Sequence, residues 1–193
     1  MLVLVIGLLV FLGVHSLRMF APQWRATTID KKGLGLWKGL YSVAALIGLI
    51  MIIWGYGQAR LDPVLLWVPP VWTRHLAALL TIPAFILLVA TYIPHTHIKA
   101  RVGHPMLLAV KFWAVAHLLA NGMLADLLLF GGFLAWAVPL YIVSRKRDRM
   151  AGVRYPKGQI SRDAITVVVG LALWVAFALW LHGMLIGVKP FGV

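Results

Sequence analysis

The chain contains no cysteine and no glutamate, and five aspartates make up its whole acidic complement. Without cysteine there can be no disulfide, no thiolate metal site and no cysteine nucleophile. Without glutamate, the histidine-rich stretch IPHTHIKA has few ligands to complete a divalent metal site, so His95 and His97 read as interfacial residues of a basic loop. Charged residues amount to only 12% of 193 positions, and no basic stripe with interleaved stacking aromatics lies outside the loops. Nucleic acid is therefore not an expected partner. No internal repeat is visible. The first apolar run lacks a basic leader and a small-residue cleavage site, so it reads as a mature helix rather than a signal peptide.

Apolar residues are what the chain has in quantity. They make up 62% of it, and the mean hydropathy is +0.93. One soluble core cannot hide that much apolar surface, so the natural solvent is a lipid bilayer. A spanning helix needs about 20 mainly apolar residues. Six stretches approach that length: Met1 to Phe20, Gly39 to Tyr56, Leu76 to Ile93, Pro105 to Asn121, Leu124 to Val143 and Ala164 to Val188. Only helices satisfy their own backbone in lipid at this length. The expected fold is thus all-α, a polytopic membrane bundle of about six transmembrane helices forming one domain over residues 1–193. Asn121-Gly122 predicts a tight turn, and Pro69-Pro70 excludes regular helix before the third segment. Trp37, Trp67 and Trp72 lie near segment ends, where indoles favour the headgroup level.

Lysine and arginine set the expected orientation. Arg18, Arg25, Lys31, Lys32, Lys38, Lys99, Arg101, Arg145, Lys146, Arg147, Arg149, Arg154, Lys157 and Arg162 fall on the odd connections, fourteen in all. Arg60, Arg74 and Lys189 are the three on the other side, and Lys111 is intramembrane. The positive-inside bias puts both termini in the periplasm.

The stretch GHPMLLAVKFWAVAHLLANG places two histidines and a lysine in an otherwise apolar helix. Such groups are costly in a membrane and point to function. His104 opens the helix, with Pro105 in the first turn, where a missing N–H costs nothing. Lys111 is two turns further on and shares its face. His117 lies about 220° round from His104 and shares a face with Trp113 and Asn121. His15 is a second histidine deep in an apolar run, and imidazole is the commonest ligand for haem iron. His75 and His182 sit near helix ends and read as interfacial. Asp126 reads as a helix-start residue. Ser16 beside His15 is not part of a catalytic triad, because no acid partner is evident.

The stretches LWKGLYSVAALIGLIMIIWGYGQAR, RHLAALLTIPAFILLVATYIP, HPMLLAVKFWAVAHLLANG with LLLFGGFLAWAV, and VVVGLALWVAFALWLHGMLIGV resemble the bacterial NnrU family over nearly the whole chain. That resemblance implies a polytopic inner-membrane protein associated with nitrite and nitric oxide metabolism in denitrifying bacteria. The nitrite and nitric oxide reductase machinery would then be its partner. NnrU proteins are in turn similar to the haem-dependent zeta-carotene isomerase of plants and cyanobacteria. That enzyme's HisSer segment matches His15-Ser16, and its HisPro…AlaHis segment matches His104 and His117, with the same 13-residue spacing. The resemblance implies haem b, with His15 and His117 as axial ligands. It would place His104, Lys111 and Asn121 on the cofactor side, Lys111 beside a haem carboxylate.

The isomerase also has a cysteine that can ligate iron, which this chain lacks. Membrane methyltransferases share a HisPro helix start. They carry arginine before it, where this chain has Gly103, and they use glutamates that this chain does not have. The sequence identifies no catalytic residue. The alternatives to a haem protein of nitrogen-oxide metabolism are a cofactor-free membrane assembly or transport factor, and a haem-dependent cis-trans isomerase of a lipid-like polyene.

Because the chain has no native cysteine, single-cysteine substitutions test the orientation directly. An impermeant thiol reagent is expected to miss the Arg145 to Arg162 loop in intact cells and to label it in inverted vesicles. Labelling from outside intact cells would overturn the assignment.

Overall fold

A computed structural model describes residues 1–191. Among these residues the architecture is all-α. Helix α1 spans Leu2–Phe20, α2 Pro22–Lys32, α3 Leu34–Ala59, α4 Trp72–Tyr92, α5 His97–Val102, α6 Pro105–Ala120, α7 Leu124–Met150 and α8 Ile160–Ile186. Five of these, α1, α3, α4, α7 and α8, are long and apolar enough to cross a membrane. The sixth apolar segment, α6, has 16 residues. At 1.5 Å per residue it reaches about 24 Å, less than the roughly 30 Å of a hydrocarbon core.

Several helices outrun the apolar stretches that announced them. α7 runs on through Ser144 to Met150, and α8 begins four residues before Ala164. Hydropathy marks only the lipid-facing part of a helix, whereas the backbone ladder continues where Lys and Arg reach the headgroups. For the same reason the polar connection after α1 gave no signal, yet it folds as α2. Pro22 occupies the first turn of α2, and Gly33 separates it from α3. The chain leaves the helix at Asn121 and around Pro69-Pro70, as their turn chemistry predicts.

The chain forms two compact units, one of Met1–Trp67 with Met123–Trp136 and one of Val68–Gly122 with Ala137–Val193. In the first, α1 and α3 pack antiparallel through glycine. A Cβ on Gly7 would lie 2.7 Å from the Ile52 nitrogen, and one on Gly48 would lie 2.7 Å from the Phe11 nitrogen. One on Gly55 would strike the backbone of Leu4. Gly48 and Gly55 are two turns apart on one face. Lipid tails are as apolar as leucine, so helices associate in a membrane by van der Waals packing, and glycine lets two backbones approach closely. The non-helical segment after α3 is held by Val64, whose carbonyl accepts the Leu124 N–H at 2.8 Å. Asp126, 4% exposed, accepts the Tyr56 hydroxyl at 2.6 Å and the Met123 N–H at 3.1 Å. It is a helix-start residue as expected, and it also ties α7 to α3.

In the second unit α4 packs against α6 and α8. Gly170 of α8 meets Ile86 of α4, where a Cβ would lie 2.8 Å from the Ile86 Cα. The Trp174 indole donates to Thr81 Oγ1 at 2.9 Å, giving an antiparallel pair. Near its end α8 loosens into a π-helical turn over Phe177–Leu181, and α-helical geometry resumes at His182.

Bulk at the α1–α3 contact should be costly. Gly48→Leu and Gly55→Leu are each expected to destabilise the fold by about 1–3 kcal/mol, the usual range for overpacking. Gly13→Ala meets nothing within 4 Å and should leave stability unchanged or raised. Thermal melting in detergent, followed by circular dichroism, checks the ranking. Equal melting temperatures for Gly48→Leu and Gly13→Ala would contradict it.

Candidate functional site

His15 sits on α1, half-buried, inside an aromatic collar. The ring centroids of Phe11, Tyr41 and Trp136 lie 4.2, 5.4 and 6.1 Å from its own. Its Nδ1–H donates to the carbonyl of Phe11, one turn back, at 2.6 Å. A carbonyl can only accept, so this bond commits Nδ1 as the donor and leaves the lone pair on Nε2. The buried indole Nε1–H of Trp136 finds no acceptor among the described residues. Such a group ordinarily costs about 1–3 kcal/mol, so a polar partner is expected close to His15.

The second unit repeats the device twice. His117 on α6 donates Nδ1–H to the Trp113 carbonyl at 2.8 Å, again one turn back. His182 donates Nδ1–H to the Val188 carbonyl at 2.6 Å. Their imidazoles lie 6.4 Å apart between centroids, with planes 19° from parallel. Asn121, expected on the cofactor side, instead donates Nδ2–H to the backbone carbonyl of His117 at 2.9 Å and finishes the helix. His182 reads from sequence as an interfacial residue. Its proximity to His117 spans 65 positions and depends on the π turn, which no sequence period announces.

His15 belongs to the first unit, and His104, Lys111, His117 and Asn121 to the second. His104 occupies the N-cap position of α6, yet its side chain makes no capping bond. It donates Nε2–H to Asp148 of α7 at 2.7 Å. The same carboxylate oxygen accepts the Tyr155 hydroxyl. Burial first, and then the bond to Asp148, pushes the Tyr155 phenol above its ordinary pKa. Gly103, with φ +75°, makes the corner possible, since a Cβ there would strike the Arg145 guanidinium and the Tyr155 hydroxyl. The shared face expected for His104 and Lys111 is realised on Tyr141. That ring lies 6.5 Å from the His104 ring and 4.9 Å from the Lys111 ammonium, a cation–π contact. The Tyr141 hydroxyl donates to the Val102 carbonyl at 3.0 Å.

His97 pairs with Asp163 at 2.7 Å, and the other oxygen of that carboxylate takes the Ile98 N–H at 3.3 Å. Sequence reasoning missed Asp148, Tyr155 and Asp163 as partners. The signal that could have found them is scarcity: in so apolar a chain, a carboxylate beside a membrane helix must be claimed by something.

A family model described as NnrU protein matches residues 3–190. No curated protein and no solved structure matches the chain. The matched span carries every histidine and all three engaged aspartates described above, and the chain belongs to the NnrU family.

Proposed function

We propose that this chain is a haem b protein of the bacterial inner membrane, serving nitrite and nitric oxide metabolism. Nε2 atoms of its intramembrane histidines would hold the iron. The observation that supports this most directly is the shared tautomer of His15, His117 and His182, each with its Nδ1 proton given to a backbone carbonyl. Metal-ligating histidines are ordinarily oriented in this way, since the bond fixes the ring and raises the basicity of the other nitrogen. The Phe11 and Trp113 carbonyls would therefore aim the two rings expected to ligate. The orphaned Trp136 N–H beside His15 could bond to a haem carboxylate, and the aromatic collar would exclude water. Haem, when bound, supplies a centre for electron transfer or for binding a diatomic gas, and the polarity of its pocket decides which.

The test is the absorption spectrum of protein made under haem-replete conditions and reduced with dithionite. A stoichiometric b-type spectrum is expected. His15→Ala and His117→Ala should each remove most of it, and added imidazole should restore part. His75→Ala, an exposed residue at the start of α4, should leave it unchanged. Stoichiometrically haem-free wild-type protein, or an unaltered low-spin spectrum in His117→Ala, would sink the reading. In haem-loaded protein, a shift of the Soret band on adding nitric oxide would distinguish gas binding from simple electron transfer.

A further inference from the structure

Where α1 ends and α2 and α3 begin, the first unit encloses a cavity of about 330 Å³. Its lining divides by chemistry. Arg18, Arg25 and Lys38 bring three cations, Tyr41 and Ser42 bring hydroxyls, and Val14, Leu17 and Leu34 form an apolar wall. No carboxylate is among the lining residues. Trp37 lies beneath the Arg25 guanidinium, 5.7 Å from its ring centroid, and packs edge-on against Trp24 at 5.5 Å.

We infer that this cavity binds the phosphate headgroup of an anionic membrane lipid. Three cations around one hollow, with no acid to balance them, call for an anion. Arginine forks and hydroxyls suit the oxygens of a phosphate. The depth is right for a lipid, because the cavity lies where a spanning helix ends and where the Trp24–Trp37 pair marks headgroup level. The apolar wall decides between lipid and free phosphate. A soluble anion would leave Val14, Leu17 and Leu34 facing water, whereas a lipid covers them with the first carbons of its chains. This site does not depend on the haem reading, although His15 also lines the cavity.

The experiment uses the full chain, delipidated in detergent and titrated with phosphatidylglycerol or phosphatidylcholine while bound lipid is counted by native mass spectrometry. One phosphatidylglycerol per chain is expected to be retained well above the phosphatidylcholine level. Arg25→Ala with Lys38→Ala should weaken its retention about 30-fold, the worth of two cations near an anionic surface. Lys31→Ala with Lys32→Ala removes the same charge from α2 outside the cavity and should leave retention unchanged. Melting curves of both double variants, expected to match wild type, show that the fold is intact.

Equal loss in the two double variants would mean a diffuse charge effect and would overturn the site. So would equal binding of the two lipids. Inorganic phosphate that displaces the lipid at comparable concentration would make this a soluble-anion site instead. Loss of haem from Arg25→Ala with Lys38→Ala, with phosphatidylglycerol retention unchanged, would assign the cavity to haem carboxylates and also overturn it.

Discussion

A polar group buried in lipid must have a partner, and this chain has few partners to offer. Unsatisfied donors and acceptors in hydrocarbon cost several kcal/mol each, because no water is at hand to accept them. Most of what is specific in the structure answers that constraint. Asp126 takes a tyrosine hydroxyl and the backbone N–H of Met123, Asp148 takes a histidine and a tyrosine, and Asp163 takes a histidine and a backbone N–H. Each carboxylate joins elements far apart in sequence, so the few acids fix helix ends in place. Cations without acids are accommodated differently: Lys111 on the face of Tyr141, Arg25 on Trp37, and Lys99 on the Thr91 carbonyl at 2.8 Å.

The same constraint makes the intramembrane histidines informative. A histidine that gives its Nδ1 proton to the carbonyl of the preceding turn has solved half of its own desolvation problem locally, at no cost to tertiary structure. What remains is one nitrogen with a lone pair, directed by a bond within its own helix. His15 and His117 therefore carry their orientation in their own helices, and only the surroundings of Nε2 need be supplied by packing.

The fold class was legible because a bilayer leaves little choice: long apolar runs must be helices, and their number follows from their spacing. Turn chemistry at Pro69-Pro70 and Asn121-Gly122 was legible because proline and glycine act locally. Helix ends were not, since Lys and Arg continue a helix beyond the point where hydropathy falls. α2 escaped for the same reason. Of the site, the depth of His15 and His117 in apolar segments could be read, and so could the face that His104 and Lys111 share. The partners could not. His104 with Asp148 and His117 with His182 are joined across 44 and 65 positions by helix packing, which hydrophobic periodicity does not encode. Lys111 and Asn121 differ from expectation in the contacts they make, with Tyr141 and with the His117 backbone.

The π turn in α8 holds one residue more per turn than its neighbours. A turn widened in this way behaves as a single-residue insertion that the helix has absorbed without breaking. Everything beyond it is set back by one position, about 100° of rotation. His182, the first residue after that turn, is thereby carried onto a face that an unbroken helix from Ile160 would not have given it. The stacking of its ring with His117 is thus a matter of phase: one residue fewer between Phe177 and Leu181 would restore the regular helix and turn this histidine away, leaving every neighbouring side chain chemically unchanged.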